Sequence, residues 1–339
     1  MSNHTDTAAT EGKMYSLDQC GLLIEERLKQ LALGGKTPAE LYSPIDYAMA
    51  SGGKRVRPAL TLMACNLFDD QIEKALTPAI ALELFHNFTL LHDDVMDNAD
   101  VRRNRPTVHK RWNENTAILS GDAMLIMAYQ YMCRTQTELL PALLDVFSRT
   151  ALEVCEGQQY DMDFEQRADV SIDEYLNMIR LKTAVLLAAC LKTGAICGGA
   201  SAENSEALYR FGISLGVAYQ IQDDWLDVYA DPDVFGKAIG GDILSGKKTF
   251  LLLTAIEKAD DKIREDLRSL LNDVKMPPNE KIESVKTIYD RLDVSQAAQQ
   301  AMDAYFQRTM SILRDVAPPD HSRKTVLEDF TVRLLRREK

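Results

Sequence analysis

Apolar residues recur at steps of three and four along almost the whole chain, a spacing that favours helices over strands. Between Ile80 and Val95 they fall at Ile80, Leu84, Phe88, Leu91 and Val95. Phe211, Leu215, Ala218, Leu226 and Tyr229 draw a second stripe, interrupted by Gln222. Such a stripe runs down one side of a helix, so each segment has a face to bury. Thr37-Pro-Ala-Glu40 has capping-box spacing with Pro in the first turn, and Ser171-Ile-Asp-Glu174 offers a second box. No convincing series of alternating strands is present. Breaks are expected at Ser51-Gly52-Gly53, in the Gly-rich stretch from Asp231 to Gly246, and at Pro277-Pro278 and Pro318-Pro319.

Two acidic clusters sit on these stripes. Leu91-His-Asp-Asp-Val-Met-Asp97 and Gln222-Asp-Asp-Trp-Leu-Asp227 both contain DDxxD. On a helix Asp93 and Asp97 lie one turn apart, as do Gln220, Asp223 and Asp227. Like charges at that spacing destabilise an isolated helix unless a cation neutralises them. Hard oxygen donors of this kind suit Mg²⁺, which takes one or two protein carboxylates and fills its shell with water and phosphate. A single cluster would be read more simply as a solvated acidic face. Both, however, are flanked by apolar residues, which points to helices lining a partly buried cavity. The clusters are 223 − 93 = 130 residues apart. If they share a site, both halves belong to one domain, although 339 residues alone suggest about two. We therefore expect a disordered tail over residues 1–14 and a single all-α domain over 15–339.

With 39 basic and 51 acidic residues the net charge is −12, which makes the chain a poor partner for nucleic acid. A phosphate-bearing substrate would need local bases or metal ions. Lys54, Arg55 and Arg57 flank a Gly pair, Arg102, Arg103 and Arg105 follow the first cluster, and Lys182, Lys237, Lys247 and Lys248 come later. Each alone would be an ordinary exposed base, so their value is collective. Arg presents a fork of donors to phosphate, Lys a point charge. His86 lies seven residues before Asp93, on the same helix face. Six scattered cysteines without a CxxC pair read as reduced thiols, and the polar Met1–Lys13 stretch is no signal peptide. No run approaches the ~20 apolar residues of a membrane helix. A cytoplasmic protein without stable membrane insertion is expected.

Taken in order, GGKRVRP (Gly52 to Pro58), HDDVMD (His92 to Asp97), RRNRPT (Arg102 to Thr107), GQQYD (Gly157 to Asp161), Lys182-Thr183, QIQDDWLD (Gln220 to Asp227), GKAIGGD (Gly236 to Asp242) and GKKT (Gly246 to Thr249) resemble the trans-isoprenyl diphosphate synthases, or polyprenyl synthetases. The resemblance runs from about Tyr47 to the C-terminus. It implies the isoprenoid synthase type I fold, an antiparallel multi-helix bundle around a central cavity, and a homodimer. It also implies Mg²⁺, several ions and by resemblance three, on Asp93, Asp97, Asp223 and Asp227, with Asp94 and Asp224 completing the clusters. Arg102, Lys182 and Lys237 would hold an allylic diphosphate, with Lys247 beside them. Gly53, Lys54, Arg57, His86 and Arg103 would hold isopentenyl diphosphate, and Gln158, Asp161, Thr183 and Gln220 would line the reacting region. The implied reaction is ionisation of the allylic diphosphate, attack by the isopentenyl double bond and loss of a proton to the released diphosphate. RRNRP replaces the family's commoner RRGxP, which should alter a loop and not the chemistry. Whether Arg336, Arg337 and Lys339 close over the site stays open.

Phe85, Phe88 and Thr89 precede the first cluster, where bulk in this family stops chain growth. The pattern resembles synthases of geranylgeranyl diphosphate, with farnesyl diphosphate next. The alternatives are a class I terpene cyclase, against which the full second DDxxD argues, and a non-catalytic subunit of a heteromeric synthase.

Overall fold

The computed structural model describes residues 13–31, 33–230 and 239–335. Lys237 and the basic residues Arg336, Arg337 and Lys339 lie outside them, as does the expected tail up to residue 12. The chain is tied down slightly earlier than expected. The Lys13 carbonyl accepts from Asn66 Nδ2 at 3.0 Å, and Tyr15 N donates to Asn66 Oδ1 at 3.0 Å.

Helices follow one another from α1 (Leu17–Lys29) through α2 (Ala39–Met49) and α3 (Val56–Asn66) to the first cluster's helix, α4 (Leu76–Met96). A short ladder, β1 (Val101–Arg102) and β2 (Arg105–Pro106), leads into α5 (Val108–Arg111), α6 (Glu114–Met132) and α7 (Leu140–Gln166). Then come α8 (Ile172–Ile179), a π-turn (Arg180–Ala184), α9 (Val185–Cys197) and the second cluster's helix, α10 (Ala202–Tyr229). The remainder is α11 (Gly241–Ser245), α12 (Phe250–Lys258), α13 (Asp261–Asn272), α14 (Pro278–Arg291), α15 (Val294–Asp315) and α16 (Lys324–Leu335). The fold is all-α, as the periodicity predicts. The ladder is the only sheet among the described residues.

The ladder has a local cause. Arg103 and Asn104 have φ of 53° and 59°, the left-handed pair that closes a two-residue hairpin. Asn tolerates that region, so it stands where a Gly is commoner without opening the turn. Of the two expected capping boxes, only the one at Ser171 forms: Ser171 Oγ accepts from Glu174 N at 3.2 Å, and Glu174 Oε2 accepts from Ser171 N at 2.9 Å. At Thr37 the expectation fails. The N-cap is Pro38, which has no side-chain acceptor, and Glu40 falls one position short of the box.

The centre is α9, buried on nearly every side, as an apolar helix without a polar face must be. It packs between α3, α7 and α10, while α4 lies along α6 and α10 along α15. The larger apolar cluster joins α1, α3, α4, α6, α9 and one end of α10 through residues such as Ile24, Leu60, Leu84 and Phe211. A smaller one joins α8, α12, α14 and the other end of α10 through Tyr175, Leu251, Tyr289 and Ile221. The helix carrying the second acidic cluster is therefore anchored in both.

Candidate active site

The like-charge cost of Asp93 beside Asp97 is roughly 0.2–0.5 kcal/mol on an isolated helix. Each fully buried Leu or Phe on α4 is worth roughly 1.5–3 kcal/mol. Leu82, Leu84 and Phe85 are buried almost completely, so packing easily imposes the helix on these carboxylates. Its rotation is fixed by His92, whose Nε2 lies 3.0 Å from the Ile118 carbonyl on α6. Gly121 makes room for that ring: a Cβ there would come within 2.2 Å of His92 Nε2.

With successive residues ~100° apart, Asp93 and Asp97 share a face and Asp94 turns away from it. Asp94 is buried and accepts from Arg102 Nε at 2.6 Å. Asp93 is the meeting point. Its Oδ2 accepts from Arg102 Nη2 at 3.3 Å, and its Oδ1 lies 3.2 Å from Lys182 Nζ. Lys182 also donates to Asp161 Oδ2 on α7 at 2.6 Å. Burial works against the Lys182 ammonium, but Asp93 and Asp161 overcome it and hold its pKa above the ordinary lysine value. Lys182 reaches this point because α7 and the π-turn touch backbone to side: a Cβ on Gly157 would come within 2.3 Å of Lys182 N.

The second cluster repeats the geometry. Asp224 is buried, accepting from the Tyr175 hydroxyl, from Phe250 N at 3.0 Å and from Gln220 Nε2 at 3.2 Å. Burial still raises its pKa. Asp223 and Asp227 are half-buried on the neighbouring face. Asp227 Oδ2 accepts from Asp242 N at 3.0 Å, which ties α11 to α10. Thr183 Oγ1 donates to Gln220 Oε1 at 3.4 Å, linking the π-turn to α10. Lys247 joins the two halves electrostatically. Burial opposes its charge, but Asp161, Asp242, Asp224 and Asp97 raise its pKa, Asp97 being of the first cluster and Asp224 of the second.

Beside this lies a basic corner. Arg57 Nη1 is 3.1 Å from His86 Nε2, and because a guanidinium can only donate, that ring nitrogen accepts. Burial, with Arg57, Arg103 and Arg102 nearby, holds His86 well below the usual imidazole pKa. Arg103 Nη1 donates to the Gly52 carbonyl, and Gly53 abuts the same guanidinium, so the hairpin and the Gly pair clasp each other. Lys54 is exposed at this edge. Arg55, its neighbour in sequence, turns inward and binds Glu25 at 2.7 Å, Glu83 at 2.6 Å and the Met49 carbonyl at 2.6 Å. Its part is to position the loop.

Phe88 and Phe85 belong to a continuous aromatic column. Ring centroids run His92–Phe88 at 4.7 Å, Phe88–Phe85 at 5.6 Å, Phe85–Phe147 at 5.4 Å and Phe147–Tyr129 at 4.8 Å. Thr89 turns its hydroxyl to the His86 carbonyl at 2.8 Å.

The site thus joins Asp93, Arg102, Asp161, Lys182, Thr183 and Gln220, with Arg57, His86 and Arg103 alongside. Sequence reasoning missed Asp242, which burial, with Asp227, Asp224 and Asp161 and against Lys247, pushes up to about 7. It also missed Tyr175, the partner of Asp224. Asp242 ends the GGD segment, the one signal that pointed to it. Tyr175 gave none.

No three His, Cys, Asp or Glu side chains among the described residues form a closed metal cage. Mg²⁺ does not need one. Asp93 Oδ1 has only the ion pair with Lys182 at 3.2 Å and no hydrogen bond of good geometry, Asp97 is exposed, and the ligand atoms are all hard oxygens, so the set fits that ion. Gln158 Nε2 is likewise buried without an acceptor.

A family model described as polyprenyl synthetase matches residues 38–292. The chain is similar to a geranylgeranyl diphosphate synthase of Methanosarcina mazei, 45% identical over 223 residues that make up 65% of this chain and 69% of that protein. It is 37% identical over 320 residues to a geranylfarnesyl diphosphate synthase of Natronomonas pharaonis, covering 88% and 91%. A crystal structure of a geranylgeranyl pyrophosphate synthase superposes with a TM-score of 0.90 at 44% identity, covering 96% of this chain and all of that one.

Proposed function

Because this chain belongs to the polyprenyl synthetase family and is a prenyltransferase of the short-chain isoprenyl diphosphate synthase kind, we propose that it condenses isopentenyl diphosphate with an allylic diphosphate, head to tail, to give chiefly geranylgeranyl diphosphate. The observation that carries the reading is Asp93 lying between Arg102 and Lys182, with Lys247 drawing on carboxylates of both clusters.

Asp93, Asp97, Asp223 and Asp227 would hold Mg²⁺, which when bound neutralises charge on the departing diphosphate. Arg102, Lys182 and Lys247 grip that diphosphate, and their charges, fixed in advance by burial and carboxylate partners, favour cleavage of the allylic C–O bond. Thr183 and Gln220 offer lone pairs beside the cation that results. Lys54, Arg57, His86 and Arg103 hold the second diphosphate, with neutral His86 as a hydrogen-bonding group and not a second positive charge. No side chain is needed as the final base, since the released diphosphate can take the proton.

Purified protein given Mg²⁺, isopentenyl diphosphate and dimethylallyl, geranyl or farnesyl diphosphate should form longer prenyl diphosphates. No product from any primer would refute the reading. Asp93→Ala should lower turnover by about a hundredfold or more, the scale of losing one pre-set electrostatic contact; wild-type rates would remove Asp93 from the site.

The second product suggested by the relatives is geranylfarnesyl diphosphate, one isoprene unit longer. The aromatic column supports a floor that begins at Phe88. Phe88→Ala should shift the product towards longer chains on chromatography. An unchanged distribution would exclude Phe88 as the stop.

The homodimer reading is supported by Ile118, Leu119 and Ile126, which are 44%, 59% and 60% exposed along α6, with Leu152 of α7 at 62%. Large apolar side chains left exposed along a helix gain by being covered.

A further inference from the structure

A second cleft, of about 570 Å³, opens among α7, α8, the π-turn, α9, α10 and α15, and shares no lining residue with the site described above. That volume is within the range of small-molecule sites. Its charge runs against the rest of the molecule. Five bases line it (Arg149, Arg180, Lys192, Arg210 and Arg308) against three carboxylates, giving 5 − 3 = +2 in a chain of net charge −12.

Each carboxylate already has its own base. Asp145 pairs with Arg149 at 3.1 Å, Glu153 with Arg180 at 3.9 Å and Glu206 with Lys192 at 2.8 Å. Arg210 and Arg308 are left without a carboxylate partner among the described residues. Two unmatched guanidiniums suit a doubly charged, multi-oxygen anion, which their forked donors recognise better than a single charge would. The same cleft is also lined by the apolar side chains of Val146, Leu176, Ile213 and Val217.

We propose that this cleft binds a phosphate group carrying a short apolar chain, with the phosphate on Arg210 and Arg308 and the chain against Leu176 and Ile213. The occupant is felt by the catalytic lysine through one turn of backbone. Arg180 enters the cleft and Lys182 the active site, two residues apart on the same π-turn. Single π-turns within helices recur at functional sites, and this one faces two of them.

The test is hydrogen exchange read by peptide, in excess EDTA, with octyl phosphate or inorganic phosphate added to wild type and to Arg210→Glu/Arg308→Glu. Octyl phosphate should slow exchange in residues 176–184 and 305–308 of the wild type, inorganic phosphate should slow it less, and neither should do so in the double variant. The variant should retain wild-type melting and turnover, because both side chains are exposed and outside the active site. If it does not, Arg210→Gln and Arg308→Gln, which remove charge without reversing it, should each weaken the protection. Absence of protection in the wild type, equal protection in every variant, or an equal effect of inorganic phosphate would overturn the proposal.

Discussion

His86 shows what a single residue's surroundings decide. Its imidazole faces Arg57, with Arg103, Arg102 and Arg55 close by, and is held well below the usual value. The sign follows directly. Below about pH 6.5 the unfolded chain takes up a proton that the folded chain refuses, so folding stability falls as pH falls, by at most about 1.4 kcal/mol per pH unit for this group. In His86→Gln that contribution should be missing. Urea unfolding at pH 7 and pH 5 should therefore show a smaller stability loss in the variant; equal losses would mean that His86 protonates freely. The residue's place on the Asp93 face was legible from the seven-residue spacing. Its charge state was not, because the guanidiniums around it come from two segments remote from each other in sequence. The inward turn of Arg55 was illegible for the same reason, since Glu25 and Glu83 are remote in sequence.

At the scale of elements, the acidic helices were readable because period and charge agree. The 3.6-residue turn that puts Asp93 and Asp97 on one face also sends Asp94 inward, and Asp224 behaves likewise. Capping was read correctly at Ser171 and incorrectly at Thr37, where proline occupies the cap itself. The π-turn left no mark that periodicity could detect. Its placement depends on Gly157, which lets α7 approach the Lys182 backbone. Gly157→Ala should cost about 1–3 kcal/mol, as overpacking does. It should lower kcat more than stability alone explains, since the displaced backbone carries Lys182. A stability loss with unchanged kcat in the folded enzyme would show that the contact serves packing only.

For the whole molecule, length favoured about two domains and the acidic pair favoured one. The structure has two apolar clusters, with α10 contributing to both, so the second acidic motif is set where they adjoin. Neither the clusters nor their junction could be read from one-dimensional periodicity, which gives each helix a buried face but no partner. The exposed α6 row makes a prediction at this scale: Ile126→Glu, with Ile118→Glu, should shift sedimentation from a dimer towards a monomer. An unchanged sedimentation coefficient would place any interface elsewhere.

Asp93 has a further consequence for how ligands arrive. Arg102 and Lys182 already occupy this carboxylate, so a cation arriving alone must compete with them. A diphosphate arriving alone must in turn draw those bases away from it. Each arrival removes the other's competitor, which amounts to positive linkage between the two. For the Mg²⁺ and diphosphate proposed to bind here, thermodynamic reciprocity fixes the symmetry: whatever factor diphosphate would add to Mg²⁺ affinity, Mg²⁺ would add to diphosphate affinity.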